Sequence, residues 1–397
     1  MKYVYLDYAA TTPMDPRVIE EFDLQMRENY GNSSSLHEIG QKAAKTLLES
    51  RGTIASLIGA PRDDIIFTSS GTEADNLAIL GVANKHKKRG NHIISTAIEH
   101  HAIEKSCELL EKQGFKVTYL PVDNQGLIDL KLLEESITDN TILISIMFAN
   151  NEIGTIEPIR DIGRIAKKYD VIFHTDAVQA VGKIPINVEE LNVDLLSASA
   201  HKLYGPKGVG MLYTRNKGNR EGWGKILEPI MHGGGHERDL RPSTMNVPAI
   251  AAFAKAAEIA KNEMPEEIVR ETKLRDKIIK SILHYIDDSY LNGHPTSRLP
   301  NNVNLGFKYV EGESIVLDLD AMGIGTSTGS ACSSKSLEPS HVLLAIGLSP
   351  QDAHGSLRIS LGRFTSEDEV DYFLEQIPLV IERLRKISPL YKKMKEK

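Results

Sequence analysis

From Ile65 onward the chain alternates short apolar runs with longer amphipathic stretches. The runs lie at Ile65 to Phe67, His92 to Ser95, Val117 to Leu120, Ile142 to Phe148, Val171 to Phe173 and Leu195 to Ala198. Short apolar runs divided by helical periodicity predict a parallel sheet covered by helices, an α/β architecture. Upstream, Tyr3 to Leu6 reads as a short strand. A helix is predicted near Pro16, because proline suits a first helical position and Val18, Ile19 and Phe22 are spaced for one face. A second helix is predicted from a stripe of Leu36, Ile39, Ala43, Leu47 and Ile54. Downstream, Pro248 to Glu263 and Pro265 to Ile286 read as two helices leading into a smaller α+β domain. That domain is expected to hold strands at Val303 to Phe307 and Ser356 to Leu361, a helix at Ser314 to Met322, and a long final helix from Glu367 with a frayed KKMKEK tail. The expected division is a large domain over 15–260 and a small domain formed by 1–14 and 261–397.

Composition narrows the class. The 397 residues are 41% hydrophobic and 25% charged with a net charge of −7, ordinary for a globular protein. No long Lys/Arg block occurs, which argues against nucleic acid as a direct partner. Neither an apolar signal core nor a membrane-spanning run is present, so the expected compartment is the cytoplasm. The two cysteines form no CxxC pair, which points away from a disulfide framework or a cysteine-rich metal site.

Chemistry concentrates at strand ends. The Val171 to Phe173 run leads to Asp176 and Gln179; the Leu195 to Ala198 run leads to Ser199, His201, Lys202 and the turn Gly205-Pro206. Ligands of open parallel sheets bind outside the carboxyl ends of the strands. A lysine and an acid on that edge suit pyridoxal 5'-phosphate (PLP): the lysine would hold the aldehyde and the acid would keep the pyridine nitrogen protonated. A surface ion pair would explain a lone Asp and Lys, but not five such residues on two strand ends. Ser70-Gly71-Thr72 at a strand-to-helix turn offers backbone N–H groups and a hydroxyl to a phosphate, although a capping box of Thr72 with Asp75 explains it equally. Either His100 or His101 could stack on a pyridine ring. The amides of Asn150-Asn151 could bond a ring hydroxyl or a carboxylate, though such a turn needs no ligand. Cys107, in helical register with Ile103 and Leu110, reads as a buried thiol. His232 and His236 flank three glycines without an evident carboxylate, so no metal is expected there. Gly325 to Ser336, GTSTGSACSSKS, is built of small and hydroxyl residues around Cys332. Such a stretch packs no core and is expected to be mobile. It is either an incidental loop or a tether for a reactive thiol.

These stretches resemble the NifS/IscS-like cysteine desulfurases of the class V aminotransferase family. The resemblance rests on LDYAATTP, GNSSSLH, SxHKxYGPKG, GSACSSKSLEPSHVLLAIG and an RxSL run at Arg358, all in family order. Tyr8 and Ser33 depart from the usual Asn and Pro. The resemblance implies a fold-type I PLP-dependent transferase. It assigns Lys202 to the cofactor aldehyde, Asp176 to the ring nitrogen, and Gln179 and Asn151 to the ring hydroxyl side. His100 would stack on the ring, with Gly71, Thr72, Ser199 and His201 around the cofactor. It further places Thr244 on the phosphate of a neighbouring subunit, hence a homodimer, and Arg358 on the substrate carboxylate, with Arg363 a second candidate. Cys332 would take sulfur from L-cysteine as a persulfide, leaving L-alanine, and pass it to an acceptor protein such as an iron–sulfur scaffold. A selenocysteine lyase or aminotransferase of the same fold, or a silent sulfur-relay partner, are the alternatives.

Overall fold

A computed structural model describes residues 3–215, 226–329 and 338–395. The chain starts with β1 (Val4–Tyr5), α1 (Pro16–Glu28) and α2 (Glu38–Leu57), then builds a seven-stranded sheet. Its strands are β2 (Ile65–Thr68), β3 (His92–Thr96), β4 (Lys116–Leu120), β5 (Thr141–Ser145), β6 (Ile172–Asp176), β7 (Leu195–Ser199) and β8 (Gly210–Thr214). They lie in the order β2-β8-β7-β6-β5-β3-β4. All pairings among β3 to β7 are parallel, as the alternating pattern predicts. β8 was not anticipated: it returns from the Gly205-Pro206 turn without an intervening helix and is antiparallel to both β2 and β7.

Helices cover both faces, which is why the strands read as continuous apolar runs. They include α3 (Gly71–His86), α4 (His101–Lys112), α5 (Leu130–Ser136) and α6 (Ile159–Lys168). Ile65 and Phe67 face one core with Val18, Ile54 and Phe253, whereas Ile66 faces another with Leu77, Ile103 and Cys107. The apolar run at 142–148 stays buried throughout, but its strand ends at Ser145, where the backbone turns into the Asn150-Asn151 segment.

Two predicted helices are one. α7 (Val247–Tyr285) runs 39 residues straight through Pro265. Its alanine-rich first half packs on the large sheet's core, and Leu274, Ile278 and Ile282 pack on a second core. Burial along both halves outweighs the hydrogen bond that proline cannot make. The α2 stripe also needs correction: Leu36 precedes the helix and is 93% exposed, and Ile39 is exposed as well. Only Ala43, Leu47 and Ile54 of that set reach the core.

The second core surrounds an antiparallel sheet of β9 (Ser289–Leu291), β10 (Asn302–Phe307) and β12 (Ser356–Ser360), ordered β12-β10-β9. β11 (Ile324–Gly325) pairs in parallel with β1. α8 (Gly312–Ala321), α9 (His341–Ala345), α10 (Pro350–His354), α11 (Glu367–Ile387) and α12 (Pro389–Lys395) complete it; α12 extends into the tail expected to fray. Residues 7–15 cross between the two cores. Asp7 bridges to Ser360, while Thr12 N–H donates to the His201 carbonyl at 3.1 Å and Asp15 N–H to that of Tyr204 at 3.0 Å. Among the described residues, no helix is long and apolar enough to cross a membrane.

Candidate active site

The carboxyl ends of β2, β3, β5, β6 and β7 converge on a cavity of about 310 Å³, closed on one side by residues 9–10 and Arg358. Lys202, Asp176, Gln179, His100, Asn151, Gly71, Thr72, Ser199, His201 and Arg358 all line it. A larger hollow of about 650 Å³ lies against the small domain, but among the described residues no lysine lines it and no parallel strand ends there. Size alone does not locate the chemistry.

Lys202 sits on the single 3-10 turn, Ala200–Lys202, that ends β7. Its Nζ donates to the carbonyl oxygens of Ala9 at 2.5 Å and Ala10 at 2.7 Å. Gln179 Nε2 donates to the same Ala9 carbonyl at 3.0 Å. The crossing segment thus places the backbone of the AATTP motif directly on the lysine. Asp176 ends β6 and is buried; its Oδ1 accepts from Val178 N–H at 2.9 Å. Burial pushes this carboxyl above its ordinary range, opposed by His100, by that N–H group and by Lys202. A cationic partner in the cavity would restore the ionised form.

His100 caps α4. Its Nδ1 accepts from Ala102 N–H at 3.1 Å, which leaves the ring hydrogen on Nε2. Burial foremost lowers its pKa, so the ring is neutral. The His201 ring pairs with Thr11 Oγ1 through Nδ1 at 3.1 Å, and burial followed by neighbouring lysine charges lowers its pKa to about 4.

At the opening of α3 the cap is Ser70, whose side chain accepts from Glu73 N–H at 3.1 Å, rather than the expected Thr72–Asp75 pair. The Gly71 and Thr72 N–H groups make no backbone bond among the described residues. A Cβ on Gly71 would lie 2.7 Å from Val178 Cγ2, so only glycine lets this turn approach the end of β6. The unpaired N–H groups, the Thr72 and Ser199 hydroxyls and the neutral His201 ring form a donor set that fits a phosphate. With Lys202 and Asp176 in the same cavity, the residues fit PLP.

Arg358 leaves β12 fully buried. It donates to the carbonyls of Asn151 at 3.1 Å and Gly329 at 3.0 Å, and pairs with Asp7 at 2.9 Å. Its Nε has no partner among the described residues. Arg363 is not part of the cavity: Asp15 and Glu267 hold it, and its guanidinium lies over Tyr204 at 4.5 Å. Thr244 is exposed and outside its own chain's cavity. Cys332 lies outside the described residues. Cys107 is fully buried, and burial pushes its thiol up to about 12.

Three further residues belong to the site. Asp7 orients Arg358. Asp75, buried on α3, is pushed well above the usual carboxyl range by burial and then by Asp176. Glu99, beneath His100, accepts from Thr96 Oγ1 and Met147 N–H, both at 2.8 Å, and burial raises it to about 8. Asp7 and Glu99 stand in the LDYAATTP and IEHH stretches, so motif position was the available signal; for Asp75 only helical register pointed inward.

The Aminotransferase class-V family model matches residues 4–373. A cysteine desulfurase IscS from Dictyoglomus turgidum is 53% identical over 386 residues, covering 97% of this chain and 96% of that protein. A solved NifS-like protein superposes with a TM-score of 0.89 at 40% identity, covering 96% of this chain and 100% of the other. A structure described as SspA in complex with cysteine reaches 0.80 at 38% identity over 91% of this chain and 100% of that one. Convergent strand ends, a PLP-fitting donor set and near full-length likeness lead to one assignment: the chain belongs to the class-V aminotransferase family, among its PLP-dependent IscS/NifS-like cysteine desulfurases.

Proposed function

We propose that this enzyme takes sulfur from L-cysteine onto Cys332, releases L-alanine, and hands the persulfide sulfur to an acceptor protein for iron–sulfur cluster assembly or another thiolation. The observation that carries the reading is the convergence of Lys202, Asp176 and Arg358 on one cavity. When bound, PLP supplies an electron sink for the substrate's Cα carbanion.

The protein's own residues do the rest. Lys202 would hold the cofactor aldehyde and, once released by the substrate amine, carry the Cα proton. Asp176 would keep the ring nitrogen protonated, with His100 stacking on the ring and Gln179 and Asn151 on its hydroxyl side. Gly71, Thr72, Ser199 and His201 would bind the phosphate end, joined by Thr244 from a second copy in a homodimer. Arg358, already oriented by Asp7, would take the substrate carboxylate through its fork of donors. Cys107 is unsuited to nucleophilic attack near neutral pH, because burial holds its thiol protonated. Of the two cysteines this leaves Cys332. We divide the chain into a large domain, 15–260, and a small one, 1–14 with 261–397; the separate apolar cores support that division. The composition fits a cytoplasmic enzyme.

The test is anaerobic turnover of L-cysteine, with alanine and protein-bound persulfide measured together. Cys332→Ser replaces the nucleophile by a hydroxyl that stays un-ionised at pH 7. It is expected to bind PLP normally yet lose alanine formation by at least a hundredfold, with no persulfide. Undiminished alanine from this variant, or native persulfide on Cys107, would overturn the reading.

A further inference from the structure

Two groups of side chains among the described residues place possible metal ligands within 4.8 Å of one another. One, Asp75 with His100 and Asp176, belongs to the cofactor cavity. The other lies at that cavity's rim and has no part in the chemistry above: His101 and Glu104 on α4, with His341 at the first position of α9. His232 and His236, the pair noted in the sequence, belong to neither group.

We propose that His101, Glu104 and His341 form a binding site for a divalent transition metal of the zinc class. Two imidazoles and a carboxylate are a ligand set that zinc takes with one position left to water. His101 and Glu104 stand at i and i+3, one turn apart on a single helix face. His101 Nδ1 already lies 2.6 Å from Glu104 Oε2. A metal would take the place of the hydrogen between them, with the two ligand atoms opening to roughly 3.3 Å for tetrahedral coordination.

The independent observation is the fixing of His341. Its Nε2 donates to the backbone carbonyl of Glu99 at 2.9 Å, so Nδ1 is left as the lone-pair nitrogen. A ligating histidine characteristically gives its other N–H to a carbonyl or carboxylate, which sets tautomer and ring orientation in advance. The helix start beneath it is held too, because Ser340 Oγ donates to Glu152 Oε2 at 2.6 Å. The His341 ring lies 5.0 Å from the His101 ring with the planes tilted by 36°. All three side chains are partly exposed, so a metal can reach them from solvent. Coordination would join α4 to α9 at the entrance that His101 and His341 both line. The site goes beyond the desulfurase reading, and binding can be measured without turnover.

Metal-free, PLP-loaded enzyme without L-cysteine is titrated with Co²⁺, following visible ligand-field bands and the melting temperature, then challenged with Zn²⁺. One Co²⁺ per protomer is expected, displaced by Zn²⁺, with a rise in melting temperature that follows metal concentration. Glu104→Gln keeps side-chain size, and His101→Asn and His341→Asn place smaller, uncharged amides at partly exposed positions. Each is expected to weaken Co²⁺ at least tenfold and to remove the thermal shift, with cofactor absorbance reporting an intact fold. Three variants that bind Co²⁺ as tightly as the parent overturn the proposal. Binding lost only on Cys332→Ser overturns it equally.

Discussion

Glu157 shows how strongly a single buried carboxyl can shape the behaviour of this enzyme. It sits just beyond the Asn150-Asn151 turn, with Oε2 accepting from Ile128 N–H at 3.3 Å and Oε1 without a partner among the described residues. Burial raises it from 4.5 to about 8. The folded state therefore keeps a proton that the unfolded chain has lost between those two values. Its stabilising contribution is complete below pH 4.5 and declines as pH rises towards 8. Glu157→Gln has nothing to ionise. The stability difference, variant minus parent, is expected to grow by on the order of 3 to 4 kcal/mol between pH 5 and pH 8. Urea denaturation at the two pH values reads this directly; a pH-independent difference refutes the assignment. Glu157 carried no mark in the sequence, since burial of a lone Glu depends on what folds over it. Lys202, Asp176 and Gln179 were legible because a strand end fixes where a side chain goes. Asp7 and Arg358, 351 positions apart in the chain, meet only through the packing of β12 beside the crossing segment.

Elements tell the same story about locality. The central parallel strands were legible because each is a short run buried on both faces, whereas β8 was hidden within a motif read for its chemistry. The single helix α7 was missed because proline is a sound local signal for a break. Two cores override it, one gripping each half of the helix. Pro265 itself is exposed and lies inside the helix between those halves. Pro265→Ala supplies the missing N–H and removes the ring from the preceding turn, with no core contact to lose. Stabilisation of about 1 kcal/mol is expected, below the roughly 3 kcal/mol penalty for proline in an ideal helix, because this helix has adapted to it. A lower urea midpoint would show that the proline fixes the relation of the two halves, not merely that the helix tolerates it.

At the scale of the whole molecule, the cofactor cavity is built by one chain, yet Thr244 stands exposed outside it. The family resemblance sends that threonine to the phosphate in a second copy, and subunit mixing decides whether it does. If Thr244 bonds the phosphate as proposed, Thr244→Ala removes one charge-assisted hydrogen bond, which corresponds to about a tenfold to hundredfold weaker hold on PLP. Lys202→Ala would, on the same proposal, abolish the covalent anchor. Suppose Thr244 acts across the interface. In a mixed dimer, the Lys202→Ala protomer then lends its intact threonine to the protomer that keeps the lysine. One site of the pair is whole, and the other carries both defects. Refolding the two variants together at limiting PLP should therefore recover activity that neither parent has, approaching half the native rate per mixed dimer. If Thr244 serves its own chain, every mixed dimer holds one site lacking the lysine and one lacking the threonine, and mixing restores nothing. A chain that sediments as a monomer at micromolar concentration with full PLP affinity would exclude the shared site outright.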